Sequence, residues 1–166
     1  MLTNGSNVSI EDICNLLTPA RREMALAVIE LYKRIKERKN NYKTIHTSTD
    51  VYEVMSPYMS DLKVEECWAV FLNQASRVIR KQRISVGGLA STQVDVRVIL
   101  KIALQCNATS MILCHNHPSG NTRPSQDDDR LTHSLLEAGR VMNIRLLDHV
   151  IVSDGNYYSY GDEGRL

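Results

Sequence analysis

An α/β fold is predicted here, a mixed sheet flanked by helices on both faces with a small helical segment at the N-terminus, and three observations predict it. Apolar runs of strand length, at 67–72, 110–113 and 144–152, are separated by stretches with helical periodicity. Turn formers punctuate them: Gly87-Gly88, Pro118-Ser119-Gly120 and Asp154-Gly155-Asn156. Strands that alternate with helices bury a sheet between helical layers. The first 45 residues read as the helical N-terminal segment and 46–166 as the main domain.

The elements follow in order. Ser9-Ile10-Glu11-Asp12 opens a short helix through Leu17, and Thr18-Pro19 supplies the cap and first position of a longer one. Met24, Ala27, Val28, Leu31 and Ile35 recur at helical spacing, so one face of that helix is expected to pack. Its basic end, Lys33 to Lys39, suits the negative pole of the macrodipole and is expected to be solvated; a phosphate-contacting patch is the functional alternative. Residues 40–46 are polar and read as a linker. Thr49-Asp50 begins another helix, interrupted near Ser56-Pro57 because proline disfavours helical backbone in the residue before it.

Residues 67–72 then read as a buried strand, and Asn73-Gln74-Ala75-Ser76 as a turn into a second strand ending at Val86. Thr92 is the expected cap of a helix to about Cys106, with Val96, Ile99, Leu100 and Ala103 inward. The strand at Ser110 follows. Beyond it Leu131, Leu135, Ala138 and Met142 stripe one face of a helix that Asn143 stops. A strand at 144–152, a turn and a short strand at 157–160 complete the chain.

Composition bounds the function. A chain of 166 residues holds one domain, or one with a small appendage, and can bury a core. A net charge of +1 gives no general basic field to announce nucleic acid. Cys14, Cys67, Cys106 and Cys114 show no C-x-x-C spacing, and no signal peptide or membrane span is recognisable. The expectation is a reduced, cytoplasmic, soluble protein that does not enter a membrane.

The informative stretch is Cys114-His115-Asn116-His117-Pro118-Ser119-Gly120, then Ser125-Gln126-Asp127-Asp128. At the end of a strand, histidines at i and i+2 share one side. Cys114 turns to the opposite face and reads as a small core residue. Pro118 and Gly120 lead the chain out of the sheet. Ser125 is then a helix cap, with Asp128 in the first turn, pointing back at the strand end. Ser125-x-x-Asp128 alone is also a plain capping box. Two imidazoles and a carboxylate meeting at one point form a three-ligand set of the kind that holds catalytic zinc with the fourth position left for water.

On these residues the chain resembles the RadC-like proteins, whose C-terminal domain belongs to the JAB/MPN (JAMM) superfamily of metalloproteases. The superfamily pattern is a Glu on an earlier strand, then His-x-His-Pro, then Ser-x-x-Asp; His115, His117, Pro118, Ser125 and Asp128 match it. Phe71-Leu72-Asn73 and Leu146-Leu147-Asp148-His149 are similar to RadC signatures. The resemblance is close over 66–158 and looser back to about Ala25. It implies the JAB/MPN fold, which is cytidine-deaminase-like, although the His-x-Glu and Pro-Cys-x-x-Cys with which a deaminase holds its zinc are missing.

What the resemblance implies about chemistry is a zinc-dependent hydrolase acting on peptide or isopeptide bonds of a peptide or protein substrate. His115, His117 and Asp128 would be the metal ligands, although such a set also admits iron, manganese or nickel. Glu65 and Glu66 both precede a strand that is apolar on both faces, so alternation does not choose between them; the family pattern chooses Glu66 as general base. Ser125 would donate to the oxyanion, its hydroxyl hydrogen being free while its oxygen accepts the helix cap bond. Asp148 and His149, on opposite faces of their strand, are each candidates to orient a ligand. Ser119 and Asn121 line the loop, while His133 falls on the solvent side of its helix.

Two other function classes compete. RadC-like proteins carry a DNA-repair label, and Arg77, Arg80, Lys81 and Arg83 form a local basic cluster; yet the family's glycine-containing helix-hairpin-helix has no counterpart in 1–40, so the N-terminal segment reads as shortened. The other alternative is a metal-binding scaffold without turnover.

Overall fold

A computed structural model describes residues 14–40, 43–87 and 94–166. Of the helix expected over 9–17, residues 9–13 fall outside these residues and Cys14 and Asn15 are helical; Thr92 also falls outside. The chain divides into two units, Met1–Arg38 and Lys39–Leu166. Helix α1 is Pro19–Asn40. The Thr18 carbonyl accepts the Arg22 N–H at 2.8 Å, the first bond of a helix entered at Thr18-Pro19. The packing face expected of it is a correction: Met24, Val28 and Leu31 are exposed.

In the second unit α2 is Ser48–Met59, β1 Glu66–Leu72, β2 Val78–Val86, α3 Val96–Gln105, β3 Ser110–Asn116, α4 Gln126–Val141, β4 Arg145–Ser153 and β5 Asn156–Ser159. The five strands form one mixed sheet in the order β2-β1-β3-β4-β5. Only β3 and β4 run parallel, joined by α4 as their crossover; the other neighbours are antiparallel. Burial shows why β3 lies at the centre: all seven of its residues are buried, as befits a strand covered on both faces.

Strand alternation sorts the core into two layers. On one face Val51, Val54, Met55 and Met59 of α2 pack on Val70, Leu72, Ile112, Cys114, Val150 and Val152. On the other, Ile99 and Ala103 of α3 and Leu135 of α4 pack on Cys67, Ala69, Phe71, Met111 and Leu113. Helices therefore cover both faces of the mixed sheet, the arrangement the sequence predicted. Cys114 lies in the α2 layer, turned away from the side of its neighbour His115.

Local departures from expectation have physical causes. Residues 43–45 are not a free linker: Val78 N–H donates to Lys43 O at 3.1 Å and Ile45 N–H to Ser76 O at 2.9 Å, so backbone pairing holds them on the edge of β2. Helix α2 is capped by Thr47, in a capping box with Asp50. Pro57 does not interrupt it, because a proline this near the C-terminus removes a single donor and Ser60 N–H still reaches Ser56 O. Asp95 caps α3. Met142, expected inward, is the exposed C-cap of α4; Asn143 ends the helix with φ 55°, the left-handed conformation asparagine tolerates.

Gly139 marks the tightest approach between α4 and the chain entering β4. A Cβ there would lie 2.4 Å from the Ile144 carbonyl oxygen, a backbone atom that cannot step aside. Gly139→Ala should therefore destabilise by about 1–3 kcal/mol despite alanine's better helix propensity. Thermal unfolding of the two proteins checks this; an unchanged or raised midpoint would contradict the close approach.

Candidate metal centre

The site is built where β3 leaves the sheet. His115 is the penultimate residue of β3, and His117 N–H still pairs with Val152 O at 3.0 Å, so both imidazoles project on one side of the strand end. Gly120 then turns the chain with φ 82°, its N–H bonded to His117 O. Helix α4 starts at once, aiming its first turn at the histidines. The Nε2 atoms of His115 and His117 lie 2.9 Å apart. Asp128 Oδ1 is 3.2 Å from His115 Nε2, and Asp128 Oδ2 is 3.8 Å from His117 Nε2.

Asp128 resolves the tension between cap and ligand by dividing its oxygens. Oδ2 accepts the Ser125 N–H at 2.7 Å and the Ser125 hydroxyl at 2.7 Å, while Ser125 Oγ takes Asp128 N–H at 3.2 Å. This is a complete capping box. Oδ1 is left facing His115. The plain capping reading and the ligand reading thus hold together, on different atoms.

Hydrogen bonds behind the histidines set their tautomers. Thr132 Oγ1 has one proton and gives it to Asp128 O at 2.6 Å, so it accepts His149 Nδ1–H, also at 2.6 Å. His149 Nε2 is then an acceptor and takes His115 Nδ1–H at 2.8 Å. His117 Nδ1–H donates to Asn121 O at 2.6 Å. Both Nε2 atoms of the ligand pair are consequently bare lone pairs, directed at each other beside a carboxylate. Such an arrangement repels itself unless a cation sits among the three groups.

A metal ion fits that place. His115, His117 and Asp128 each offer one ligand atom, and these lie within 4.8 Å of one another. Ligands about 2.0–2.1 Å from a tetrahedral ion are roughly 3.3 Å apart; the two Nε2 atoms at 2.9 Å and Asp128 Oδ1 at 3.2 Å from His115 Nε2 lie near that figure, and His117 Nε2 is 3.8 Å from the other carboxylate oxygen, Oδ2.

Burial keeps His115 and His149 neutral. His115 is pushed down to about 4, chiefly by desolvation, with Asp128 opposing and His117 adding to the fall. His149, wholly buried and stacked at 7° on Tyr160, lies well below the usual histidine range for the same reason. The sign of the pH effect follows. Between about 6.5 and 4 the unfolded chain binds a proton at His115 that the folded chain refuses. Metal-free protein should therefore keep its full stability above pH 6.5 and lose on the order of 2–3 kcal/mol towards pH 4. Denaturant titrations across that range would check it, and a flat profile would contradict neutral burial.

The other expected residues are placed as follows. Glu66, first residue of β1, is buried; its Oε2 accepts Trp68 Nε1–H at 2.8 Å and its Oε1 the Arg83 guanidinium at 3.0 Å. Among the described residues no hydrogen bond or ion pair joins it to the His/Asp group. Ser125 has no free hydroxyl proton in this arrangement, since it rests on Asp128 Oδ2, and this corrects the expectation that the proton stays free. His149 bonds to His115, one of the three residues that could hold a metal ion. Asp148 instead ties down the end of the sheet, accepting Ser159 Oγ–H at 2.6 Å, Gly161 N–H at 2.9 Å and His149 N–H at 2.7 Å. Ser119 Oγ accepts Asn121 N–H at 3.4 Å, and His133 is exposed as expected. Of the basic cluster, Arg83 engages Glu66, Lys81 donates to Tyr58 Oη, and Arg80 donates to Gln82.

Two contributors escaped the sequence reading. Thr132 is i+4 from Asp128 on the inward face of α4, a spacing that could have flagged it. Asn116, between the two histidines and buried, accepts Glu66 N–H at 2.8 Å and donates to Val64 O at 3.0 Å, stitching the start of β1 to the end of β3. All four cysteines are free thiols, and none is in the metal-ligand group.

Known proteins are similar to this chain in sequence. A family model described as the RadC-like JAB domain matches residues 45–165. A UPF0758 protein of Flavobacterium johnsoniae is 42% identical over 146 residues, 87% of this chain and 64% of that protein. A UPF0758 protein of Porphyromonas gingivalis is 39% identical over 150 residues, 89% of this chain and 66% of its own. One of Streptococcus gordonii is 42% identical over 141 residues, covering 84% and 62%. The chain thus spans a little less than two thirds of the length of these curated relatives. With the family model covering the whole sheet and the site it carries, this chain belongs to the RadC-like JAB domain family.

Proposed function

We propose that this protein is a zinc-dependent hydrolase of JAMM type that cleaves a peptide or isopeptide bond. The observation that carries this is the convergence of two bare Nε2 lone pairs and Asp128 Oδ1 at the end of β3, with the opposite nitrogen of each ring already engaged. Family membership supports a hydrolase-like metal domain in general terms; the metal, the bond and the substrate are our reading. Zinc held by His115, His117 and Asp128 would carry a net single positive charge, acidify a water and polarise a carbonyl.

The chain's own residues supply the rest. Glu66 takes the water's proton and returns it to the leaving amine. To do so it must leave Trp68, which packs in the α2 layer, and the half-exposed Arg83, and turn round the start of β1 towards the face that carries His115. Asn116 keeps the Glu66 backbone in register with the strand that bears the ligands. Ser125 serves the oxyanion by turning its hydroxyl about one bond; Asp128 Oδ2 stays held by Ser125 N–H meanwhile. His149 and Thr132 keep His115 in the tautomer that presents Nε2.

Zinc-loaded protein incubated with lysine-linked isopeptides and with unstructured peptides tests the proposal. Cleavage abolished by chelator and restored by zinc is expected. Metal uptake without cleavage of either class would leave a non-catalytic metal scaffold instead. DNA is the less favoured partner, since three of the four basic side chains noted on and beside β2 are engaged within the protein. We place the protein in the cytoplasm. Among the described residues no helix is long and apolar enough to cross a membrane.

A further inference from the structure

Beside the metal ligands, α3 and α4 part to leave a cleft of about 260 Å³. Val94 and Val96 line it together with Asp127, Asp128, Arg130, Leu131 and Ser134 of α4. Asp128, whose carboxylate faces the two histidines, is thus shared between the cleft and the candidate metal group. The cleft's volume is below the roughly 300–1,000 Å³ of a site that takes a whole small ligand, and suits one side chain. Its charge is balanced at the rim, where Asp127 and Arg130 pair with each other. What remains for an occupant is the apolar surface of two valines and a leucine.

We propose that this cleft is the subsite for an aliphatic side chain, of valine or leucine size, on the residue next to the bond that is cut. It rests on the metal-hydrolase reading above, and it narrows the substrate class from any peptide to one with a branched apolar residue at the cleavage position. Leu131 is the specificity-determining contact, because it lies three residues along α4 from Asp128, one turn behind the ligand on the same helix face. Ser134, a further turn on and exposed, also lines the cleft.

Binding of metal-chelating hydroxamates to the zinc-loaded full chain tests this without turnover. Two series are needed, with the side chain on either side of the chelating group, each running from glycine through valine and leucine. In one series leucine or valine should bind about ten- to a hundredfold more tightly than glycine, the gain from burying such a side chain. Ser134→Phe, which adds a ring at an exposed lining position, should erase that preference while metal content and melting temperature show the fold intact. Leu131→Ala should reduce the preference and favour a longer side chain. Equal binding of glycine and leucine in both series would overturn the subsite and leave the metal centre standing. Failure of every hydroxamate to bind would overturn the subsite and the metal reading together.

Discussion

His117→Ala should lower zinc affinity by about a hundred- to a thousandfold. Structural zinc sites bind with about 10–16 kcal/mol shared among four ligands, so one ligand accounts for roughly 3–4 kcal/mol. His117 is the better choice than His115 for this measurement. It lies just beyond β3, and its other nitrogen bonds only to Asn121 O in the exposed loop. Removing it leaves the buried chain from Thr132 through His149 to His115 intact, so lost metal reports the ligand and not a collapsed core. Competition titration against a chromogenic chelator gives the affinity. Equal affinity in wild type and variant would mean that the converging lone pairs are not a metal site.

Glu66→Gln should leave metal content unchanged and reduce hydrolysis by about 10²–10⁴-fold, the contribution typical of a positioned general base. Glutamine preserves the size of the buried side chain and one acceptor for Trp68 or Arg83. The cost in stability should be small, because Arg83 is more than half exposed and regains water. Steady-state rates at matched metal occupancy would separate this from a folding defect. If the variant kept full activity, the base would lie elsewhere, and Glu65, the neighbour that strand alternation could not dismiss, would be next to test.

Much of this arrangement was legible before any coordinates. The apolar runs at β1, β3 and β4 fixed a sheet covered on both sides, since a strand apolar on both faces is stable only between two layers. His115, His117 and Asp128 are separated by at most thirteen positions and by turn residues whose chemistry forces the return, so their meeting was a local inference. Helix capping by Ser125 was equally local.

What the sequence hid depends on distant or purely backbone contacts. His149 bonds to His115 across 34 positions, and its placement rests on the parallel register of β3 and β4, where His149 lies opposite Leu113. The attachment of 43–45 to β2 uses main-chain groups that any polar stretch possesses. Pro57 sits inside α2 because the flanking Val54, Met55 and Met59 are buried against the sheet, and tertiary packing outweighs one missing donor. Glu66 shows the limit most clearly. Its position at the head of β1 was expected, and Trp68 is its i+2 neighbour on the same strand, while its bond to Arg83 depends on the pairing of β1 with β2, which no spacing in the sequence encodes.

X-ray absorption of the zinc-loaded full chain is the most direct test of the central claim that His115, His117 and Asp128 hold one ion with a position left open. A shell of about four nitrogen or oxygen neighbours at about 2.0–2.1 Å, with outer-shell scattering from two imidazole rings and no sulfur, is the predicted result. A sulfur neighbour at about 2.3 Å, or a spectrum indistinguishable from hydrated zinc, would contradict it.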